Sequence, residues 1–330
     1  MTKSVNILIA DDVHPDLMDG LKDAGLRYTY APDATPERIS ELMSNHSILV
    51  IRSKMKITEE FMTKHPDLRL IARAGAGMET IDTDAAQRHG ITCVSANEGN
   101  RDAVGEQTVG MMLALLTHLR KAHDQVANGV WDREGNRGLE LGHRTVGIIG
   151  YGNTGSAVAG KLSGFGCRVL AYDKYKSGFG SESVEEVTLT ELLSEADIIT
   201  FHVPLTDETN QWINQAFIHS VSHPFVLLNL SRGGIMNTRD VLVGLESGKV
   251  VGLATDVLEN ENPSNWTPEE RDLVIRLTHN PSVLVTPHVG GWTRESYQKI
   301  SRVLLWKICD HLGLKPAQND HFKPERLYVG

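Results

Sequence analysis

The sequence predicts an α/β fold with two domains, each built on a parallel sheet. The first observation is the length of 330 residues, which is more than one hydrophobic core usually organises. The second is an alternation of short apolar strands with helices, which is typical of parallel sheets with right-handed crossovers. The third is a glycine-rich turn between a strand and a helix near the middle of the chain.

Composition limits the function classes. The net charge of −9 argues against a general nucleic-acid surface but is compatible with a local basic pocket for an anionic substrate. Cys93, Cys167 and Cys309 are scattered and form no CxxC pair, so neither a disulfide framework nor a metal site is expected. The N-terminus lacks the features of a signal peptide, and no apolar run reaches membrane-spanning length. We therefore expect a cytoplasmic protein with no membrane partner and no nucleic-acid partner.

The first hundred residues alternate between short apolar runs, which predict strands, and stretches of helical periodicity. The predicted strands are residues 5–10, 48–51, 68–72 and 91–95, and the predicted helices are residues 17–24, 36–43, 59–64 and 82–89. No GxGxxG sequence follows the first of these strands. This half of the chain is therefore expected to bind something other than a dinucleotide.

Two strand exits in this half carry unusual residues, and ligands of open α/β sheets bind beyond such carboxyl ends. A Gly-Ala-Gly loop exposes backbone amides that are able to hold a carboxylate, and two arginines are able to grip a carboxylate or a phosphate. A solvated charge beside a plain turn explains the same pattern equally well. The residues in question are Arg52, Ser53, Arg73, Gly75, Ala76 and Gly77.

The next segment predicts one long helix over residues 100–128, with Asn100 or Asp102 as its N-terminal cap. Its length suits a connector between domains or a subunit interface. Residues 128–142 are rich in glycine and charge around a lone Trp131, and they predict a loop.

Residues 145–173 are the strongest motif in the chain, because strand, glycine turn, helix, second strand and terminal acid follow in order. Gly150 allows the tight turn, Gly152 lets the backbone approach a pyrophosphate, and Gly155 lets the helix pack close to the strand. The helix N-terminus directs its amides at that pyrophosphate. Asp173 favours NAD because a 2′-phosphate would meet its carboxylate, while the adjacent Lys174 keeps NADP open.

After this motif the alternation resumes. We expect helices at residues 185–194 and 238–247, strands at 197–202, 225–230, 250–255 and 283–286, a loop at 258–268 and a final helix at 293–312.

Three charged residues follow buried strands in this second half. Arg232 comes directly after an apolar strand, where its desolvation is costly unless it meets an anion such as a substrate carboxylate. His288 lies between a proline and two glycines, and imidazole has the pKa that suits proton transfer near neutrality. Glu261 would orient the ring and raise its pKa if it lay beside it. Taken singly, each residue is better explained as a capping, surface or loop residue, and only the three together with a hydride-carrying cofactor favour catalysis.

Several stretches together resemble the D-isomer-specific 2-hydroxyacid dehydrogenases over nearly the whole chain. They are RAGAGMETID, GNRDAVGEQ, ELGHRTVGIIGYGNTG, HVPLTDETN, NLSRGGIMNTRD, LATDVLENENP and TPHVGGWTRES. The resemblance implies that Arg232 binds the substrate carboxylate and carbonyl, that Glu261 is the acid paired with the histidine, and that His288 is the acid/base.

The resemblance also implies a fold and a cofactor. The fold is two Rossmann-like domains, a flavodoxin-like substrate domain and an NAD-binding Rossmann domain, with the active site in the interdomain cleft. The substrate-binding domain is discontinuous, residues 1–100 plus 295–330, and the NAD-binding domain is residues 101–294. The implied cofactor-binding residues are Gly150, Gly152, Asn153, Thr154, Gly155, Asp173, His202, Val203, Pro204, Leu230, Asp256 and Gly291.

The substrate is implied to be a small anionic 2-hydroxy or 2-oxo acid. RSKMKIT and IARAG resemble 3-phosphoglycerate dehydrogenases, in which two arginines help to hold the phosphate, so 3-phosphoglycerate is the best guess, in a form without a regulatory domain. The implied substrate-binding residues are Arg52, Ser53, Arg73, Gly75, Ala76, Gly77 and Asn100.

Two alternatives remain open at this point. If the protein is a glyoxylate or hydroxypyruvate reductase, Arg52 and Arg73 have no role in binding the substrate. A corepressor-like protein that senses NAD shares the fold and the three catalytic residues. The sequence departs from the family pattern at Glu79-Thr80, at Asn97 and at Trp292, which stands where a small residue is common; these changes bear on the substrate. The long helix and the loop after it resemble the family's dimer contact, so a homodimer is expected.

Overall fold

A computed structural model describes residues 5–314 of the chain. The described residues divide into two compact units, one formed by residues 5–101 with 292–314 and the other by Asp102–Gly291. The assignment of substrate binding to one domain and of cofactor binding to the other stays a prediction, and residues 315–330 of the predicted substrate-binding domain lie outside the described residues.

The first unit begins with a five-stranded sheet in the order β2-β1-β3-β4-β5, and all its strand pairs are parallel. Helices begin where the sequence supplies caps; for example, the Thr35 hydroxyl accepts a hydrogen bond from the N–H of Arg38. The elements are β1 Asn6–Ile9, α1 Pro15–Asp23, β2 Arg27–Tyr30, α2 Pro36–Met43, β3 Ile48–Ile51, α3 Glu59–Lys64, β4 Leu70–Arg73, α4 Thr83–Arg88 and β5 Thr92–Ser95.

The second unit contains a seven-stranded parallel sheet in the order β12-β11-β10-β9-β6-β7-β8. Two apolar clusters cover its faces, one with Phe201 and Phe225 and the other with Met112 and Leu162. The elements are α5 Arg101–Leu116, α6 Leu119–Ala127, β6 Thr145–Ile149, α7 Asn153–Leu162, β7 Arg168–Tyr172, β8 Glu185–Glu186, α8 Leu189–Glu195, β9 Ile198–Phe201, α9 Gln215–Ser220, β10 Phe225–Asn229, α10 Thr238–Glu246, β11 Val250–Thr255, α11 Pro268–His279 and β12 Val283–Val285.

The last helix, α12 Arg294–His311, belongs to the first unit. It buries Leu304 and Ile308 in the same cluster as Leu17 and Leu21 of α1. The α/β class with two parallel sheets is confirmed. The strand order of the first sheet is the flavodoxin-like one, and that of the second is the Rossmann order with one strand added. The active site in the interdomain cleft stays a prediction.

The predicted single helix over residues 100–128 is wrong, because α5 ends at Leu116 and α6 begins at Leu119. Between them His118 has a φ of 53°, in the left-handed region. The carbonyl of Leu116 accepts the N–H of Leu139, so the returning segment replaces the next helical hydrogen bond. The break falls where burial ends, since α6 has no buried residue.

Other elements were not predicted. Strand β2 has the sequence RYTY with no buried residue, so it lacks an apolar run. The segment predicted as helix 185–194 starts as the short strand β8, and its helix begins at Leu189. Helix α11 was missed although Thr267 and Glu270 form a capping box that marks its start.

Candidate active site

The loop after β12 holds His288 in an unusual backbone conformation. Its φ is 55°, in the left-handed region that residues other than glycine rarely adopt. Its N–H donates to the carbonyl oxygens of Asp256 at 2.8 Å and Thr286 at 3.0 Å, which fastens the loop to the end of β11. Residues held in such conformations cluster at functional sites, where the surrounding contacts compensate the strain.

His288 is paired with Glu261. The ring Nδ1 lies 2.8 Å from the Glu261 carboxylate oxygen Oε2, and the two side chains are 45% and 44% exposed. The hydrogen bond to Glu261 raises the pKa of His288 above its ordinary value, against the opposite effect of partial burial. Within residues 5–314 no group bonds Nε2, so this nitrogen is available to a ligand.

The loop that carries Glu261 is fastened at the two residues that precede it. The preceding Glu259 accepts hydrogen bonds from the N–H of Thr238 and from the side chain of Gln211. The carbonyl of Asn260 accepts the indole N–H of Trp266 at 2.9 Å. These contacts restrict the loop, so Glu261 reaches His288 from a defined position.

Arg232 follows β10 and lies near the same pair. Its positive charge lowers the pKa of His288, while the charges of Glu261 and Asp256 raise it. Asn229, fully buried at the end of β10, donates to the Arg232 carbonyl at 3.0 Å. A Cβ on Gly233 would lie 1.8 Å from the carbonyl oxygen of Leu258, so only glycine lets this loop pack on the segment leading to Glu261. The three residues predicted as catalytic therefore lie together in the second unit.

Asp256 organises the loop after β12. It is 2% exposed, and its Oδ1 accepts the N–H of Val289 at 2.9 Å while Oδ2 accepts that of Gly290 at 2.7 Å. The Thr286 hydroxyl donates to Oδ1 as well. The prediction that Asp256 contacts the cofactor is untested, but the structure gives it a role that sequence reasoning missed, which is to position the loop of His288.

The glycine turn has the features that a pyrophosphate needs. Gly150 has a φ of 94°, and a Cβ there would lie 2.5 Å from the His202 carbonyl. A Cβ on Gly155 would lie 2.0 Å from the Gly150 carbonyl, whereas one on Gly152 would meet nothing within 4 Å. Gly152 is also the N-cap of α7 and supplies no side-chain hydrogen bond, so the first amides of the helix have no side-chain cap.

Asp173 follows β7 and is largely engaged with backbone. Its Oδ2 accepts the N–H of Tyr151 at 2.8 Å, and its Oδ1 accepts those of Tyr175 at 2.9 Å and Lys176 at 3.1 Å. A carboxylate offers about four acceptor positions, so capacity remains for a ribose hydroxyl.

Lys174 is paired with Glu208, so it would have to give up this partner to bind the 2′-phosphate of NADP. Its Nζ lies 2.7 Å from Oε1 of Glu208, whose Oε2 accepts the hydroxyl of Tyr175 at 2.6 Å. Glu208 is 34 residues away along the chain, and no sequence pattern indicated this contact.

Other predicted cofactor residues line the ends of the central strands. His202 is buried after β9, where burial lowers its pKa to about 4 and its Nε2 lies 3.0 Å from the Thr200 hydroxyl. The imidazole is therefore neutral near pH 7. Asn153 and Thr154 form the first turn of α7 and Leu230 follows β10, while the remaining predicted positions, Val203, Pro204 and Gly291, lie in the loops after β9 and β12.

The residues predicted to bind substrate lie at the strand exits of the first unit. Arg52 follows β3 and Arg73 ends β4, and these strands are adjacent and parallel. A Cβ on Gly75 would lie 1.7 Å from the Nη1 atom of Arg73, so the guanidinium packs on its own loop. Asn100 has a buried Oδ1 without a hydrogen bond from any described residue. Ser53, Ala76 and Gly77 lie in the same two exit loops.

No helix among the described residues is long and apolar enough to cross a membrane.

Comparisons with known proteins show which family this chain is similar to. The family model described as D-isomer specific 2-hydroxyacid dehydrogenase, NAD binding domain, matches residues 109–290. The chain is 32% identical over 320 residues to D-3-phosphoglycerate dehydrogenase of Methanocaldococcus jannaschii, covering 96% of this chain but 59% of that protein. It is 33% identical over 278 residues to hydroxypyruvate reductase of Thermotoga maritima, covering 84% of this chain and 89% of that protein.

Solved structures with the same fold include members of this kind of enzyme. D-lactate dehydrogenase of Aquifex aeolicus, in complex with NAD and lactic acid, superposes with a TM-score of 0.79 at 27% identity, covering 93% of this chain and 95% of that one. A glyoxylate reductase of Paecilomyes thermophila has a TM-score of 0.82 at 22% identity over 98% of this chain and all of that one, a likeness of fold alone.

Proposed function

The chain belongs to the D-isomer-specific 2-hydroxyacid dehydrogenase family, and we propose that it is an NAD-dependent enzyme that interconverts a small 2-hydroxy acid and its 2-oxo acid. The single observation that carries the proposal is the 2.8 Å contact between His288 Nδ1 and Glu261. It leaves Nε2 for the substrate oxygen, and the raised pKa of His288 favours the protonated ring.

The residues fit the cofactor. Gly152 leaves open space at an uncapped helix N-terminus, which suits a pyrophosphate, and Asp173 keeps acceptor capacity for a ribose. When bound, the nicotinamide supplies or accepts the hydride. The remaining cofactor contacts in the proposal are Asn153, Thr154, His202, Val203, Pro204, Leu230, Asp256 and Gly291.

The chain's own groups handle the substrate carboxylate and the proton. Arg232 holds the carboxylate through charge-assisted hydrogen bonds. In the reductive direction the protonated His288 donates the Nε2 proton to the carbonyl oxygen, and in the oxidative direction the neutral ring accepts the hydroxyl proton. Glu261 stabilises the imidazolium and fixes the ring orientation.

For the substrate we propose 3-phosphoglycerate and its 2-oxo form. The support is the pair of arginines at the β3 and β4 exits, together with the relatives named D-3-phosphoglycerate dehydrogenase, of which this chain covers 59% or less. The proposed contacts are Arg52, Ser53, Arg73, Gly75, Ala76, Gly77 and Asn100. The second candidate is a glyoxylate or hydroxypyruvate reductase, which the Thermotoga maritima relative favours because the chain covers 89% of it.

Measuring NADH oxidation with 3-phosphohydroxypyruvate, hydroxypyruvate and glyoxylate separates these candidates. For the first candidate kcat/KM is highest with the phosphorylated acid, and Arg52→Ala lowers that value alone. Equal loss on all three substrates would contradict the proposed role of Arg52. Absence of turnover with intact NADH binding would contradict the enzyme and favour an NAD-sensing binding protein.

We also propose a homodimer formed through α6 and the segment that follows it. Their apolar side chains are exposed, with Leu119 at 63%, Val126 at 54% and Trp131 at 80%. Such a patch is expected to be covered in a soluble assembly. Light scattering of the purified chain gives the mass directly, and a monomer at micromolar concentration would contradict the proposal.

A cytoplasmic location is proposed on the three free cysteines, since thiols persist in a reducing compartment.

A further inference from the structure

An arginine–tryptophan stack lies at the β3 exit of the first unit. The guanidinium carbon of Arg52 is 4.0 Å from the centroid of the Trp292 ring. Trp292 is 58% exposed, so the ring is not held there by burial in the core. The exposed tryptophan therefore calls for an explanation beyond core packing.

The guanidinium of Arg52 lies over the Trp292 ring, and its N–H donors have no acceptor among the described residues. Stacking on an aromatic ring engages the face of the planar group and leaves its in-plane N–H donors available for bidentate contact with an anion. Among residues 5–314 no carboxylate forms an ion pair with Arg52 and no acceptor bonds its guanidinium. Only its backbone N–H is bonded, to Asp11 at 2.7 Å.

The stack borders a pocket. Arg52 and Trp292 line it together with Ala74, which directly follows Arg73, and with Ile300 of α12. A ligand in this pocket can therefore touch both the stack and the β4 exit. Ala74 directly precedes Gly75 in the chain, so the pocket reaches the segment of the proposed substrate contacts.

The acid in this pocket is already engaged. Asp12 accepts the hydroxyls of Tyr30 at 3.1 Å and Tyr297 at 2.7 Å, one on each carboxylate oxygen. Burial and the hydrogen bond to Asp12 raise the pKa of the Tyr297 hydroxyl, and the positive charge of Arg52 opposes that rise. Arg52 is therefore the positive group of the pocket, and its donors remain available.

Resting on the function proposed above, we propose that Trp292 is a positioning residue that selects 2-oxo acids with an anionic group on carbon 3. The ring fixes the guanidinium of Arg52 in one plane, so its N–H edge meets a phosphate or carboxylate without first losing side-chain entropy. Trp292 itself contacts Arg52 and needs no contact with the reacting carbon.

The test compares three substrates of the full chain in NADH oxidation: 3-phosphohydroxypyruvate, oxaloacetate and hydroxypyruvate. The first carries a phosphate on carbon 3, the second a carboxylate and the third a neutral hydroxyl. Loss of a cation–π contact predicts that Trp292→Leu raises KM for the better anionic substrate by about threefold to thirtyfold. The value of kcat and the KM for hydroxypyruvate stay within twofold of the wild type.

Three further comparisons make the result specific. Trp292→Phe keeps an aromatic face and retains a KM near that of the wild type. In an Arg52→Gln background, Trp292→Leu adds no further rise in KM, because the partner is already gone. Arg52→Lys keeps the positive charge but loses the planar group, and it is expected to raise KM for the anionic substrate. Trp292 is intact in this variant, so the result does not depend on whether Trp292→Leu folds.

Three results would overturn the inference: unchanged KM in Trp292→Leu, an equal rise for hydroxypyruvate, or additive effects in the Arg52→Gln background. These outcomes differ from failure of the proposed function, which is absence of turnover by the wild type on all three acids.

Discussion

At the scale of single residues, the proposed proton transfer depends on two hydrogen-bonded side chains. His288 and Glu261 are 27 positions apart in sequence, yet their side chains meet at 2.8 Å. Glu261 raises the pKa of the ring, Asp256 acts in the same sense, and Arg232 acts against both. The protonation state of His288 therefore depends on which of these charges is present.

Glu261→Gln is expected to move the pH profile. Reduction needs the protonated ring, so its rate falls as pH rises through the pKa of His288, which Glu261 holds above the ordinary value. Removing that charge lowers the pKa, so the midpoint of the fall shifts to lower pH. The measurement is kcat/KM for 2-oxo acid reduction between pH 5 and about pH 10.

Glu259→Gln is the matched control for that profile. It removes a carboxylate from the same loop, one that bonds Thr238 and Gln211 and not the imidazole. Its midpoint should equal that of the wild type. A midpoint that Glu261→Gln leaves unmoved, or that both variants move equally, would be incompatible with the pairing.

A second prediction at this scale concerns the choice between NAD and NADP. Glu208 pairs with Lys174 at 2.7 Å, so the lysine charge is neutralised beside the predicted ribose site. Glu208→Gln should release Lys174 and raise kcat/KM for NADPH by about threefold to tenfold, with that for NADH within twofold. Tyr175→Phe, which keeps the ion pair, should leave both values unchanged. No gain for NADPH in Glu208→Gln would refute the neutralising role.

At the scale of elements, the strand–turn–helix unit β6–α7 is the clearest link between sequence and function. Gly155 permits close contact of α7 with the turn, because a Cβ would lie 2.0 Å from the Gly150 carbonyl. Gly152 faces open space instead. The two glycines therefore have separable roles, one in packing and one in leaving room for a ligand.

Alanine at each glycine tests this division. Gly155→Ala should lower the thermal unfolding temperature and weaken NADH binding, because backbone atoms have to shift. Gly152→Ala should leave the unfolding temperature within about 2 °C, since an exposed methyl costs little, while raising the Kd for NADH at least tenfold. NADH fluorescence titration and calorimetry give the two quantities. Equal destabilisation by both substitutions would contradict the assignment.

The elements also show where a sequence pattern is sufficient to predict a strand or a helix. Buried strands such as β3 and β10 are continuous apolar runs, so they were predicted within a residue. Strand β2 has no buried residue and was missed. The break between α5 and α6 depends on the bond from Leu139 to Leu116, a contact between segments that helical periodicity does not contain.

For the whole molecule, the alternation of strands and helices was enough to predict two parallel sheets, because buried parallel strands impose that pattern. The proximity of Arg232, Glu261 and His288 was predicted through resemblance to a family, since no local pattern joins loops after different strands. The Arg52–Trp292 stack joins residues 240 positions apart (292 − 52) and had no sequence signal.

The two units also differ in how their chemistry could be predicted. The second unit carries a motif whose spacing is dictated by a ligand, so the residues of the glycine turn were identified directly. The first unit offers charged strand exits without a motif, so the substrate contacts proposed there need kinetic tests. The substrate is therefore the property that needs experiment most.

The most direct test of the proton-transfer role is the turnover of His288→Ala measured beside its NADH affinity. Loss of a general acid predicts that kcat for 2-oxo acid reduction falls by about 10²- to 10⁴-fold, while the Kd for NADH stays within twofold. His279→Ala, which removes an exposed histidine at the end of α11, should change neither value. Turnover by His288→Ala within threefold of the wild type would contradict the assignment of His288 as the proton donor.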